Sequence, residues 1–95
     1  MNWTRTTRIA GTCRMGQIEG CSYSKVVSIL GEPEDGDGCK VDVEWGIVFD
    51  DGRVATIYNW KNGPVAGGPP VRTLTRWNIG GNDGEVAQRL IDLLS

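Results

Sequence analysis

Histidine is absent from this chain, and cysteine is scarce. Without an imidazole the protein lacks the commonest metal ligand and the usual general base. The three cysteines, Cys13, Cys21 and Cys39, are odd in number and match no zinc spacing. A cysteine nucleophile would have no histidine to activate it. We therefore expect reduced thiols, no metal, no cofactor and no catalytic residues, hence a binding protein rather than an enzyme.

Long apolar runs are missing too. No segment approaches the roughly 20 apolar residues that a membrane helix needs, and residues 1–5 lack the apolar stretch of a signal peptide. We therefore expect no membrane partner and a location in the cytoplasm, that of a cell or of an infected host. With 95 residues, of which 39% are apolar and 23% charged, the chain has the composition of one folded domain spanning residues 1–95.

Net charge is low, but it is unevenly distributed. A formal charge of −2 argues against general nucleic-acid binding. Residues 32–51 contain eight acidic residues against Lys40, whereas residues 52–82 contain no acidic residue and four basic ones: Arg53, Lys61, Arg72 and Arg76. Two interpretations stay open. Either opposite charges pair across a small surface, or the basic stretch lines an anion site.

The first half of the chain predicts one strand and one helix. Residues 2–10 are rich in threonine and alternate, which favours a strand, and residues 11–20 are predicted to form a loop. Ser22 or Ser24 can cap a short helix that ends at Gly31, shortly before Pro33. Residues 34–38 are predicted to form an acidic loop.

The centre carries the strongest pattern. Apolar side chains alternate over ten residues, which predicts a strand whose buried face carries Val41, Val43, Trp45, Ile47 and Phe49. Asp51-Gly52 then predicts a two-residue hairpin turn into a second strand, residues 53–60.

The last third predicts a loop, a strand and a helix. Residues 62–70, rich in glycine and proline, are expected to form an exposed loop. A strand over residues 72–79 is expected to end at Gly80-Gly81, and Asn82 with Glu85 resembles a capping box. The element order is then strand, helix, strand, strand, strand, helix. It predicts an α+β fold, with an antiparallel sheet and two helices packed on one of its faces.

Two of the four tryptophans are candidates for function. Trp60 shares a strand face with Tyr58 and borders the predicted loop, and Trp77 alternates with Arg76 and Asn78. An aromatic ring beside arginine and asparagine can stack a planar base and bind its phosphates. Indoles buried across an oligomer interface would give the same pattern, so both interpretations stay open.

Three segments carry a resemblance to known families. Residues 43–61 read VEWGIVFDDGRVATIYNWK, residues 77–81 read WNIGG, and residues 28–33 read SILGEP. Together they resemble a family of small proteins frequent in tailed phages. The chain is also similar to the Thoeris anti-defence proteins of phages, which sequester cyclic ADP-ribose-type signals, and in some cases cyclic oligonucleotides, without cleaving them.

This resemblance implies a ligand site and a role. It implies ligand contacts by Phe49, Asn59 and Arg76, to which the patterns above add Trp60, Trp77 and Arg72. We expect Arg76, Asn59 and Phe49 to face the ligand and Trp77 to be structural. The leading hypothesis is a homo-oligomeric phage counter-defence protein that sequesters a nucleotide-derived signal. The alternative is a protein-binding inhibitor of a host defence system, anti-CRISPR-like or another host-takeover factor, whose acidic residues 32–51 block a basic groove.

Overall fold

The computed structural model describes residues 2–95, which form six strands, two α-helices and two short 3-10 turns. The 3-10 turns span Pro64–Ala66 and Val71–Thr73. The longer elements, in chain order, are β1 (Trp3–Arg5), β2 (Cys13–Ile18), α1 (Tyr23–Leu30), β3 (Glu34–Asp35), β4 (Val43–Phe49), β5 (Val54–Tyr58), β6 (Trp77–Gly81) and α2 (Gly84–Leu94).

The strands form one antiparallel sheet in the order β1-β4-β5-β6-β2, and the two-residue strand β3 also pairs with β4. This confirms the predicted α+β class and the antiparallel sheet. The predicted element order was wrong, because it lacked β2 and β3.

The N-terminal strand is shorter than predicted. It ends at Arg5, because the Thr6 hydroxyl accepts a hydrogen bond from the Arg8 amide, a local side-chain bond that competes with strand pairing. Residues 13–18, predicted to be a loop, form β2 on the outer edge of the sheet. Only Gly16 and Ile18 of this strand are even partly buried, so its sequence carries no apolar alternation.

The hairpin between β4 and β5 is confirmed, but its turn differs from the prediction. The Phe49 amide donates to the Arg53 carbonyl, and the Gly52 amide donates to the Phe49 carbonyl. The loop therefore has three residues, 50–52, and its one positive φ lies at Gly52. The Asp51 carboxylate holds the turn by accepting a hydrogen bond from the Arg53 backbone amide. This bond, together with those from the Arg89 and Arg53 side chains, lowers the pKa of Asp51 to about 2.

Strand β6 begins and ends later than predicted. The segment after Pro70 closes a 3-10 turn instead, with the Leu74 amide bonded to the Val71 carbonyl. Gly80 belongs to the strand and pairs with Thr56. A Cβ there would lie 2.6 Å from the Thr56 hydroxyl, so this strand position requires glycine. Asp83, rather than Asn82, caps α2, through a bond from the Val86 amide.

One buried cluster joins the sheet to α1. Trp45 and Trp77 are 0% and 1% exposed, and their rings meet edge to face at 5.4 Å. Tyr23 of α1 contacts both rings. The Trp45 indole donates to the Gly31 carbonyl at one end of α1, and the Trp77 indole donates to the Cys21 carbonyl at the other. Because a buried indole N–H needs a partner, these bonds fix α1 against the sheet.

Both helix boundaries of α1 follow the sequence. The Ser22 hydroxyl accepts from the Lys25 amide, and Gly31 ends the helix at a φ of 91°, which only glycine adopts without strain. Helix α2 adds its apolar stripe to the same buried cluster through Val86, Ala87, Leu90 and Leu94. The side chains of alternate residues on the strands point away from this cluster and form the opposite face of the sheet.

Candidate functional site

The opposite face of the sheet forms the floor of an open cleft. Tyr58 lies opposite Asn78, and Asn78 lies opposite Gln17, so these three side chains form one row across β5, β6 and β2. The cleft has a volume of about 590 Å³. Its lining consists of Arg14, Gln17, Tyr58, Trp60, Asn62, Arg76 and Asn78. We call this the open-face cleft.

The two arginines of the open-face cleft are weakly engaged by protein groups. Arg14 makes a long bond of 3.3 Å to the Gln17 side chain, and within residues 2–95 no carboxylate lies within 4.0 Å of its guanidinium. Arg76 lies 3.8 Å from Glu19, and both side chains are more than half exposed. An exposed pair at that distance contributes roughly 0–1 kcal/mol. Both arginines are therefore available to an anion.

Trp60 forms the aromatic wall of the cleft. It is 44% exposed, and it is larger than Met15 and Val65, the other large apolar side chains that are exposed among the described residues. The Tyr58 ring meets it edge to face at 6.5 Å. The ammonium groups of Lys40 and Lys61 lie over the indole, 5.4 and 5.8 Å from its centroid. An exposed indole surrounded by cations is a surface on which an anionic, planar molecule can stack.

The polar groups of the cleft offer both donors and an acceptor. Burial raises the pKa of Tyr58 from its ordinary value, against the opposing effects of the Arg14 charge and a hydrogen bond with Asn78. The phenol is therefore protonated at neutral pH and can donate. The Asn62 Oδ1 atom is buried and has no partner within residues 2–95. An unpaired buried acceptor is costly, and a ligand N–H or O–H would satisfy it.

The structure separates the residues that were expected to share the site. Trp60 and Arg76 line the open-face cleft, whereas Phe49, Asn59 and Trp77 are buried on the helix side, at 6%, 0% and 1% exposure. Adjacent residues of a strand point to opposite faces, which is why Asn59 cannot accompany Trp60, nor Trp77 accompany Arg76. The structure therefore does not bring Arg76 together with Asn59 and Phe49, as had been expected.

Asn59 and Phe49 have structural partners instead. The side-chain oxygen of Asn59 accepts hydrogen bonds from the backbone amides of Asp42 and Val43. The side-chain NH₂ of Asn59 donates to the Asp42 carboxylate at 2.7 Å. The Arg89 guanidinium lies over the Phe49 ring, 5.4 Å from its centroid. Asn59 thus ties the start of β4 to the end of β5, and Phe49 packs beneath α2.

Arg72 lies outside the open-face cleft. It lines a shallow depression beside α1 with Tyr23, Ser24 and Glu32, among others.

Sequence reasoning missed Arg14, Gln17 and Asn62 as cleft residues. The first two lie on β2, which was predicted to be a loop. Side chains alternate between the two faces of a strand, and this period was the sequence signal that placed Tyr58 and Trp60 on the same face.

Much of the acidic segment is occupied by the protein itself. The Asp37 carboxylate accepts from three backbone amides of residues 39–41, which lowers its pKa to about 2. Asp42 binds Asn59 and the Val65 amide, and Asp51 binds Arg53 and Arg89. Fewer carboxylates are therefore available to imitate a nucleic acid than the sequence indicates.

Cys13 and Cys39 are exposed, Cys21 is buried, and all three are free. Across residues 2–95, no helix combines the length and the apolar content that crossing a bilayer requires. The same residues contain no group of three or more carboxylate or thiol side chains arranged to hold a metal.

Comparison of the chain with protein-family models, curated proteins and solved structures gives no match.

Proposed function

We propose that this protein binds and sequesters a small anionic ligand with a planar ring, derived from a nucleotide, in the open-face cleft. One observation carries the proposal: two arginines without strong protein partners line the same cleft as an exposed tryptophan. Elsewhere in the described chain, Arg53 and Arg89 each bind two or more carboxylates at 2.9–3.2 Å. Arg14 and Arg76 have no comparable contact, and a phosphate would supply one.

Binding without cleavage is part of this proposal. The lining supplies guanidinium, amide, phenol and indole groups. These groups hold phosphates and planar rings, and a reaction would need a nucleophile or a general base beside them. The ligand would leave the cleft unchanged.

The biological setting of the proposal comes from the resemblance to phage proteins. There the ligand is an immune signal, a cyclic nucleotide or a cyclic ADP-ribose-type molecule, in the cytoplasm of an infected host.

A homo-oligomer stays a prediction. It is consistent with the position of β2 at the end of the strand order, where the outer edge of β2 can pair with a second copy of the chain.

The test is calorimetry of the wild type with cyclic ADP-ribose isomers and cyclic di- and trinucleotides. Arg76→Ala removes a charge-assisted contact worth about 1.5–3 kcal/mol, so the affinity is expected to fall roughly ten- to a hundredfold. Because the Arg76 side chain is 61% exposed, the thermal midpoint is expected to stay unchanged.

Arg72→Ala is the matched control, since it removes the same charge from a surface outside the cleft. The affinity of this variant is expected to stay within about twofold of that of the wild type, because salt screens a charge that lies far from the ligand. A wild type that binds none of the ligands contradicts the proposal and favours a protein partner. Equal losses in the two variants would show that the site is not in the open-face cleft.

A further inference from the structure

Two pairs of cationic side chains lie on either side of Trp60. Strand order places β5 between β4 and β6, and antiparallel pairing brings the start of β4, the end of β5 and the start of β6 to one end of the sheet. Lys40 precedes β4, Trp60 follows β5, and Arg76 precedes β6. The indole therefore lies between a lysine on the β4 side and an arginine on the β6 side.

Each pair has a second member. Lys61 joins Lys40 over the indole, and neither lysine lines the open-face cleft. Arg14 of β2 joins Arg76 within the cleft. No carboxylate of residues 2–95 lies within 4.0 Å of either lysine. Four cationic groups thus surround one exposed ring, and among the described residues the exposed pair of Arg76 with Glu19, at 3.8 Å, is the one ion pair that any of them makes.

The lysine pair is held by a strained backbone. Lys61 has a φ of 56°, the one non-glycine residue with positive φ among those described. Its amide donates to the Lys40 carbonyl at 2.8 Å, which ties the two lysines together beside the ring. A left-handed conformation is unfavourable for a lysine and persists where surrounding contacts enforce it, often at a binding site.

Resting on the function proposed above, we infer that the ligand carries two separate phosphate groups, one for each pair of cationic side chains beside Trp60. One phosphate binds Arg14 and Arg76, and the other binds Lys40 and Lys61, while the ring stacks against Trp60. A nucleoside bisphosphate has this chemistry. The unpaired Asn62 Oδ1 accepts from an amine or hydroxyl of the ligand.

The experiment compares adenosine 3′,5′-bisphosphate with adenosine 5′-monophosphate by calorimetry at about 0.1 M salt, where charges beyond roughly 10 Å are screened. Adenine supplies the amine for Asn62. The wild type is expected to bind the bisphosphate at least tenfold more tightly than the monophosphate. The Lys40→Gln/Lys61→Gln double variant is expected to bind both ligands equally, at the affinity of the wild type for the monophosphate.

Two further double variants complete the design. Arg14→Gln/Arg76→Gln is expected to weaken both ligands at least tenfold. Arg8→Gln/Arg72→Gln removes the same charge outside the cleft and is expected to preserve the tenfold preference. A wild type that prefers the bisphosphate less than tenfold overturns the inference, and so does a lysine variant that keeps the preference.

The failures of the inference and of the proposed function are distinguishable. If the wild type binds the cyclic ligands in the open-face cleft but shows no gain from the second phosphate, the inference alone is wrong. If it binds neither the cyclic ligands nor the two adenosine phosphates, the proposed function is wrong as well.

Discussion

Asn59→Ala is expected to lower the free energy of unfolding by roughly 3–5 kcal/mol, because buried donors left without partners cost about 1–3 kcal/mol each. Asn59 is 0% exposed and accepts bonds from the Asp42 and Val43 amides. Its own amide also binds the Asp42 carboxylate. The measurement is urea unfolding of the variant and the wild type, with the midpoint and slope fitted separately.

Asn62→Ala is the matched control for this change. It removes the same side chain from a residue three positions along, whose Oδ1 has no partner in the described chain. Its expected effect is within about 1 kcal/mol. If Asn59→Ala instead keeps the free energy of unfolding of the wild type but loses ligand binding, Asn59 is a ligand residue, as the resemblance to phage proteins implies. The buried hydrogen bonds of Asn59 with Asp42 and Val43 would then be contradicted.

Trp77→Ala is expected to be at least as destabilising, by about 3–5 kcal/mol, because it opens a large cavity in the core. Trp77 is 1% exposed, meets Trp45 edge to face and donates to the Cys21 carbonyl. A loss of this size is a large part of the 5–15 kcal/mol that holds a typical domain folded. Thermal and urea unfolding of the variant measure it.

Trp60→Ala provides the comparison, since it deletes the same side chain at a position that is 44% exposed. Its expected cost is about 1 kcal/mol or less, because its main ring contacts are at the surface. Equal destabilisation by the two variants would contradict the assignment of Trp77 to the core and of Trp60 to the open-face cleft.

The fold was predictable where the pattern reflects burial on one face. The alternation from Val43 to Phe49 and the glycine at position 52 define the hairpin, and Ser22 and Gly31 define α1. Strand β2 was not predictable, because an edge strand with mostly exposed residues needs no apolar alternation. Local side-chain bonds, such as that of Thr6, likewise end elements in ways that strand propensity does not reveal.

The candidate site was predictable only in part. Sequence patterns selected Trp60 and Arg76, and both line the open-face cleft. They did not reveal Arg14 and Gln17, because these residues reach the cleft only through the pairing of β2 with β6, which lies far along the chain. Asn59 was selected by resemblance, and its burial follows from its alternation with Tyr58 and Trp60.

The open-face cleft is tested most directly by the indole N–H signals of the four tryptophans in a nitrogen-15 correlation spectrum. The titrant is whichever cyclic ADP-ribose isomer or cyclic oligonucleotide binds in calorimetry. Trp60 lines the cleft, whereas the indoles of Trp45 and Trp77 are buried and bonded to carbonyls. The predicted result is a saturable shift of the Trp60 signal, assigned from its loss in Trp60→Phe, with the Trp45 and Trp77 signals unmoved. A bound ligand that shifts the Trp77 signal and leaves that of Trp60 in place would contradict the site.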